Sequence, residues 1–273
     1  MTTAPAQRPQ LGGIRPPHGS RVDWRALALV AGSLAAVAAF AWPFFAPALP
    51  SDAPRTVPYL AVALVPVIVA GLTLALDRQF ASAKAVALLG VLGAIGAATR
   101  VLGDTVGGVE PVFVVLILAG RALGARFAFL LGIVVVTVSA VITGGIGPWL
   151  PYQLFACAWV GAGAGLLPRL RAGRWARRAE VVMLAAYGAI VSWLVGALLN
   201  LSFWPFALAG GTSISYAPDA ASFAGLLENL KAFALYSLAT STLTWDTVRA
   251  ITTVIGIAAI GRPVLAALRR AKL

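Results

Sequence analysis

The feature that most constrains this chain is a succession of long stretches without a charged side chain. Ala26 to Pro50 is the first and Thr56 to Leu76 the second. Ala85 to Thr99 follows, then a short run from Pro111 to Gly120, then Phe127 to Ile146, Pro148 to Pro168 and Val181 to Phe206. A last apolar stretch begins near Trp245 and ends before Arg262. A helix needs roughly 20 mostly apolar residues to cross a hydrocarbon layer about 30 Å thick. Backbone groups in that layer must be satisfied within the segment, so helices are the spanning form such runs adopt. The runs predict an all-α integral membrane protein with eight transmembrane helices, the fourth of them short. The start of the eighth is open. Leu226 to Thr244 reads either as an outer amphipathic helix or as the top of one long helix ending at Arg262.

Composition agrees. Of 273 residues, 60% are hydrophobic and 11% charged, against about 25% charged in soluble domains. So little polar surface could not cover a water-exposed fold. An ordinary soluble enzyme, a disordered chain and a secreted disulfide scaffold are excluded. The one cysteine, Cys157, cannot form an internal disulfide and sits in an apolar run as a small core side chain. The one histidine, His18, lies in a tail rich in Pro, Gly and Arg. Histidine-ligated haem, His/Cys zinc sites and Ser-His-Asp catalysis inside the membrane therefore lack their residues, and no cofactor and no metal are expected.

A net charge of +12 raises the question of nucleic acid. The placement of the charges answers it. Arg8, Arg15, Arg21 and Arg25 precede the first run, and Arg78 and Lys84 separate the second from the third. Arg121 and Arg126 separate the fourth from the fifth, and Arg169, Arg171, Arg174, Arg177 and Arg178 the sixth from the seventh. Arg262, Arg269, Arg270 and Lys272 follow the last. If every run spans, all of these fall on one side, and only Arg55, Arg100, Lys231 and Arg249 fall on the other. This positive-inside asymmetry predicts an inner-membrane protein with both termini cytoplasmic and no nucleic-acid partner. The segment 1–25 reads as a disordered basic tail with no secretory cleavage signal.

The opposite side carries the chemistry. Asp52, Asp104, Glu110, Asp219, Glu228 and Asp246 fall there, close to the few outer cations. Arg100 with Asp104 is an i,i+4 pair, while Asp246 with Arg249 and Glu228 with Lys231 are i,i+3 pairs, spacings that share a helix face. Ionisable groups at membrane depth are costly unless they pair or face a polar cavity. Trp149, Gln153, Asn200, Trp204, Asn229, Tyr236 and Trp245 gather on the same side. Tryptophan and tyrosine serve interfacial belts, but amides at helix ends need polar partners. Together these residues describe a mostly apolar cup with a few directed polar groups, the usual form of a small-molecule site. The candidate substrate-binding residues are Arg100, Asp104, Glu110, Trp149, Gln153, Asn200, Trp204, Trp245, Asp246 and Arg249. The loops GDTVGGVE (103–110) and the polar stretch 207–225 are candidate gates over it.

The third run carries a stripe of small residues. Ala83, Ala87, Gly90, Ala94 and Ala98 share one helix face. Such a face lets another membrane helix approach closely, either inside the bundle or on a separate subunit.

From about Lys84 onward the chain resembles the substrate-binding S component of energy-coupling factor (ECF) vitamin transporters. The resemblance rests on the small-residue first core helix (Ala83, Ala87), the short run Pro111–Gly120 followed by AGRALGARFAFLLG, the TGGIGPWLPYQ segment and the terminal WDTVRA…GRP. It implies a six-helix core over 84–273 that binds a vitamin from outside. It also implies docking on a transmembrane coupling subunit that carries two cytoplasmic ATPases, with toppling to release the ligand inside. The family's AxxxA-type contacts map onto Ala83, Ala87, Gly90 and Ala94. The chain itself has no GxxxxGK[ST] loop, so ATP would be hydrolysed on its partners. The two helices over 26–77 stand outside the family core. The uncharged aromatic lining weakly favours a corrinoid such as cobalamin, or a thiamine-like compound. A self-sufficient permease is the alternative, though the apolar runs lack the intramembrane acid a proton-coupled carrier needs unless Asp246 lies deep. A lipid-modifying membrane enzyme is a further one, for which Asp104 with Glu110 is the loosest of acid pairs.

Overall fold

The computed structural model describes residues 24–40, 82–103, 107–147, 149–170, 174–208 and 222–271. Those residues are helical, with short connections and no strand among them. In chain order the helices are α1 (Trp24–Phe40), α2 (Ala83–Gly103), α3 (Val112–Leu123), α4 (Ala125–Thr143), α5 (Leu150–Leu166), α6 (Arg174–Leu208) and α7 (Phe223–Ser237). A nine-residue π-helical stretch (Leu238–Asp246) then leads without a break into α8 (Thr247–Arg270). The second apolar run, Thr56 to Leu76, lies outside the described residues.

Among the described residues, four helices are long and apolar enough to cross a bilayer: Ala83–Gly103, Ala125–Thr143, Ala176–Leu201 and the continuous Phe223–Arg270. The open question at the last helix is thereby answered. The 48 residues from Phe223 to Arg270 form one helix, about 70 Å long at 1.5 Å per residue. That is more than twice the hydrocarbon thickness, so a single bilayer holds only part of it.

The short α3 is the centre of the molecule. It packs against α2, α4, α5, α6 and α8. Ten of its residues are buried, from Val112 and Phe113 through Leu116, Ile117 and Leu118 to Leu123. A helix apolar on every side must be buried on every side, and α3, at about 18 Å, is too short to face lipid across the full layer. The other helices supply the shell. α4 and α5 come close enough that a Cβ on Gly132 would strike the backbone of Cys157 and Ala158. At the far end of α4, Gly144 takes the left-handed conformation (φ 68°) and its N–H donates to the Ala140 carbonyl, the usual helix stop.

α6 begins at Arg174, earlier than the apolar run beginning at Val181 suggests. The arginines ahead of the run are good helix formers and extend the helix beyond its apolar part.

The additional helix α1 docks on α5 and α6. Phe40 is buried against three rings of α5: Tyr152 (centroids 4.4 Å apart), Trp159 (5.6 Å) and Phe155 (6.2 Å). Trp159 Nε1 donates to Ser33 Oγ at 3.1 Å. α1 is thus an outer buttress of α5.

Candidate functional site

The polar residues singled out in the sequence converge on Arg249, in the first turn of α8. One of its terminal nitrogens donates to Asp246 Oδ1 at 2.7 Å and to the Ser192 carbonyl of α6 at 3.2 Å. The other donates to Glu110 Oε1 at 2.6 Å. The guanidinium also lies 5.5 Å from the Phe113 ring centroid, a cation–π arrangement. Asp246 is 1% exposed and Arg249 7%. Burying ions this deeply is tolerable only when each has a partner and further hydrogen bonds, and both terminal nitrogens of Arg249 and both carboxyl oxygens of Asp246 are engaged.

The network continues along the π stretch. Asp246 Oδ2 accepts from Ser241 Oγ at 2.9 Å. Asn200 of α6 donates to Ser241 Oγ at 2.6 Å and to Ser237 Oγ at 2.9 Å. Ser237 shares a hydrogen bond with Thr242, and Thr247 Oγ1 donates to the Thr242 carbonyl. The contacts Ser237–Thr242, Ser241–Asp246 and Thr242–Thr247 are all five residues apart. Five is the step of a π-helix, which widens the turn and brings i and i+5 together. In an ordinary α-helix Ser241 and Asp246 would point to different faces. Here the wider turn aligns the hydroxyls with the carboxylate.

A second polar group stands on α2. Arg100 donates to Ser139 Oγ of α4 and to Gln153 Oε1 of α5, both at 3.0 Å. It lies close to the first. Gly103, one turn on from Arg100, abuts the backbone at Val109 and Glu110. Cys157 of α5, a free buried thiol, is within electrostatic reach of Arg100, Glu110 and Arg249 alike. Two arginines and two carboxylates therefore share one end of the bundle. Over them runs the Gly107–Glu110 segment, with Gly107 against the Trp245 ring and Gly108 (φ +80°) against the Trp245 backbone.

The structure thus unites Glu110, Asn200, Asp246 and Arg249 in one network and Arg100 with Gln153 in another. Trp245 covers the glycine segment and is half exposed. Trp149 stands apart at the start of α5, its ring folded over Gly147. Asp104 lies outside the described residues, as does the side chain of Trp204. Sequence reasoning missed Ser139, Ser192, Ser237 and Ser241. The signal available was the hydroxyl-rich LATSTLT between Tyr236 and Trp245, unusual inside an apolar helix. It also missed Glu110 as the partner of Arg249, a contact between residues 139 positions apart.

Two donors at this site have no partner among the described residues: Arg249 Nε and, one turn further along α8, Thr253 Oγ1. A buried donor left unbonded costs about 1–3 kcal/mol, so both suit an acceptor that enters from outside the chain. No metal-holding group of His, Cys, Asp and Glu is present among the described residues. Chemically the site offers guanidinium, amide and hydroxyl donors set around paired carboxylates.

The small-residue stripe of α2 faces outward. Ala83, Ala87, Gly90 and Ala94 are exposed, and a Cβ at Gly90 would meet nothing within 4 Å. The opposite face, with Gly93, Gly96 and Ala97, is buried. There Gly93 and Gly96 admit Val134 and Val135 of α4.

No family model, curated protein or solved structure matches the chain.

Proposed function

We propose that this chain is the membrane-embedded substrate-binding subunit of an ECF-type importer. It takes a vitamin or related micronutrient at the end that holds Arg100 and Arg249, and passes it inward with a coupling subunit and two ATPases. In this reading it has no catalytic activity of its own, sits in the inner membrane and keeps both termini in the cytoplasm. The observation that carries the reading is the two-faced α2. One small-residue face is spent on α4, and the other, through Ala83, Ala87, Gly90 and Ala94, is left uncovered by the described residues. Small side chains at a membrane-helix surface favour close backbone approach of another helix, which is what a docking subunit requires. The paired charges and unbonded donors around Arg249 support the same reading as a binding site of moderate polarity. A corrinoid or a thiamine-like compound remains the favoured cargo class.

The test separates docking from binding. Ala87→Trp is expected to abolish uptake in cells that supply the partners while leaving ligand affinity of the purified protein unchanged. Unimpaired uptake by a correctly inserted Ala87→Trp protein would remove the docking role.

One observation favours the permease as a second reading. Asp246 is a buried acid within a long membrane helix, and such an acid is what a proton-coupled carrier uses. Uptake into liposomes that contain this chain alone would establish that reading, and its absence would leave the multisubunit importer.

A further inference from the structure

At the arginine-rich end, α6 and α8 flank a half-open hollow of about 790 Å³ lined by Arg177, Arg178, Arg262, Arg269 and Glu180. The positive-inside pattern explains why arginines are at this end. It does not explain why four of them, from two helices, converge on one hollow, since a topology signal works wherever the side chains point.

Among the described residues, the one carboxylate that lines it, Glu180, is already engaged. Glu180 accepts from Arg121 Nε and from Arg269, each at 2.6 Å. Arg121, which is not a wall of the cavity, is secured further by the Leu167 and Pro168 carbonyls. Arg269 is therefore fixed by Glu180, and Arg177, Arg178 and Arg262 bring three more guanidinium groups to the walls. Arg262 and Arg269 lie seven residues apart, two turns along the same face of α8. Between them Leu265 and Ala266 line the cavity, with Val181 on the α6 side. The site thus has cationic walls and an apolar strip, and it opens between two helices long enough to cross a bilayer. Its volume falls in the range that takes a whole small molecule and well exceeds a lone phosphate.

We propose that this cavity binds the phosphodiester headgroup of an anionic phospholipid, gripped by Arg177, Arg178 and Arg262 against a wall fixed by Arg269. Guanidinium forks match phosphate oxygens in pairs. Basic pockets between membrane helices are natural headgroup sites. The apolar strip accommodates the glycerol and the first methylenes, which a free phosphate does not have.

The experiment uses the full chain in mild detergent, stripped of lipid, with native mass spectrometry to count lipids rebound from equimolar phosphatidylglycerol and phosphatidylcholine. The wild type is expected to retain phosphatidylglycerol selectively. Each Arg→Gln change at Arg177, Arg178 or Arg262 is expected to weaken that retention about fivefold, and Arg→Lys less. The triple Arg→Gln variant is expected to lose the preference. If that variant does not fold, the single Arg262→Gln change, at an exposed position, carries the same comparison. A second arm titrates inorganic pyrophosphate into the lipid-free protein. Arginine-dependent pyrophosphate binding without selective lipid retention would transfer the site from lipid to a free phosphate and overturn the proposal. Equal retention of both lipids, or a preference that survives loss of the arginines, would overturn it as well.

Discussion

Gly196 of α6 lies directly beneath the Asp246 carboxylate. A Cβ at position 196 would run into the carboxyl carbon and both its oxygens. Gly196→Ala therefore forces Asp246 to move, and Asp246 is tied at 2.7 Å to Arg249 and at 2.9 Å to Ser241. Disrupting a buried ion pair costs about 3–5 kcal/mol. Replacing a mid-helix glycine with alanine returns about 1 kcal/mol of backbone freedom. The expected net loss is about 2–4 kcal/mol, or a fall in Tm of roughly 5–15 °C for a chain of this size. The assay is thermal unfolding of the purified protein in detergent, followed by tryptophan fluorescence. Gly90→Ala is the matched control, because a Cβ there meets nothing within 4 Å; its expected effect is neutral to about 1 kcal/mol of stabilisation. In an Asp246→Ala background the new methyl has room, so Gly196→Ala should become neutral or stabilising. The coupling energy between the two positions is then about 3 kcal/mol, the upper end for residues in one network. If Gly196→Ala unfolds at the same temperature as Gly90→Ala, or if its cost persists without Asp246, the packing of α6 on the carboxylate is wrong.

Three further outcomes are expected. Phe40→Ala should release α1 from the aromatic group of α5, raising hydrogen exchange or proteolysis in 24–40 while the Tm of the core stays within a few degrees; a large drop in core Tm would show that α1 is integral rather than a buttress. Glu180→Gln should destabilise by about 2–4 kcal/mol, because Arg121 is left buried without its counter-ion, and chemical unfolding in detergent reads this directly; a neutral result would show that the carbonyls of Leu167 and Pro168 suffice. Arg100→Met should weaken binding of the transported ligand by tenfold or more in calorimetry while adding little heat instability, since Ser139 keeps its bond to the Val136 carbonyl; unchanged affinity would place the ligand away from α2.

Parts of the site were legible in the chain because they are local. Asp246 and Arg249 are three residues apart, and a helix through that position places them on one face wherever it packs. The small stripe of α2 was equally readable, since a repeat of three and four residues defines a helix face. Which face of α2 stays uncovered was not readable. Alanine and glycine occur on both faces, and only the packing of Val134 and Val135 against Gly93 and Gly96 assigns one side to the interior. Arg100 illustrates the same limit. Ser139 and Gln153, from two other helices, hold it in the structure, while its sequence neighbour Asp104 lies outside the described residues.

What the sequence determined by itself is the material of the molecule: long apolar runs, with arginines clustered at some of their boundaries and most of the acids at others. Those properties follow from transfer of each segment between water and hydrocarbon, which depends on the segment alone. Only the tertiary structure decided that α3 is the buried axis and that Phe223–Arg270 is one helix with a π stretch. It also decided that Glu110 closes the second arm of Arg249, and that arginines from α6 and α8 share a hollow. Each of these is a contact between residues far apart in the chain or a choice among faces of similar apolarity. Hydropathy cannot rank such alternatives, because among apolar helices the winner is set by shape and by which buried donor finds its acceptor.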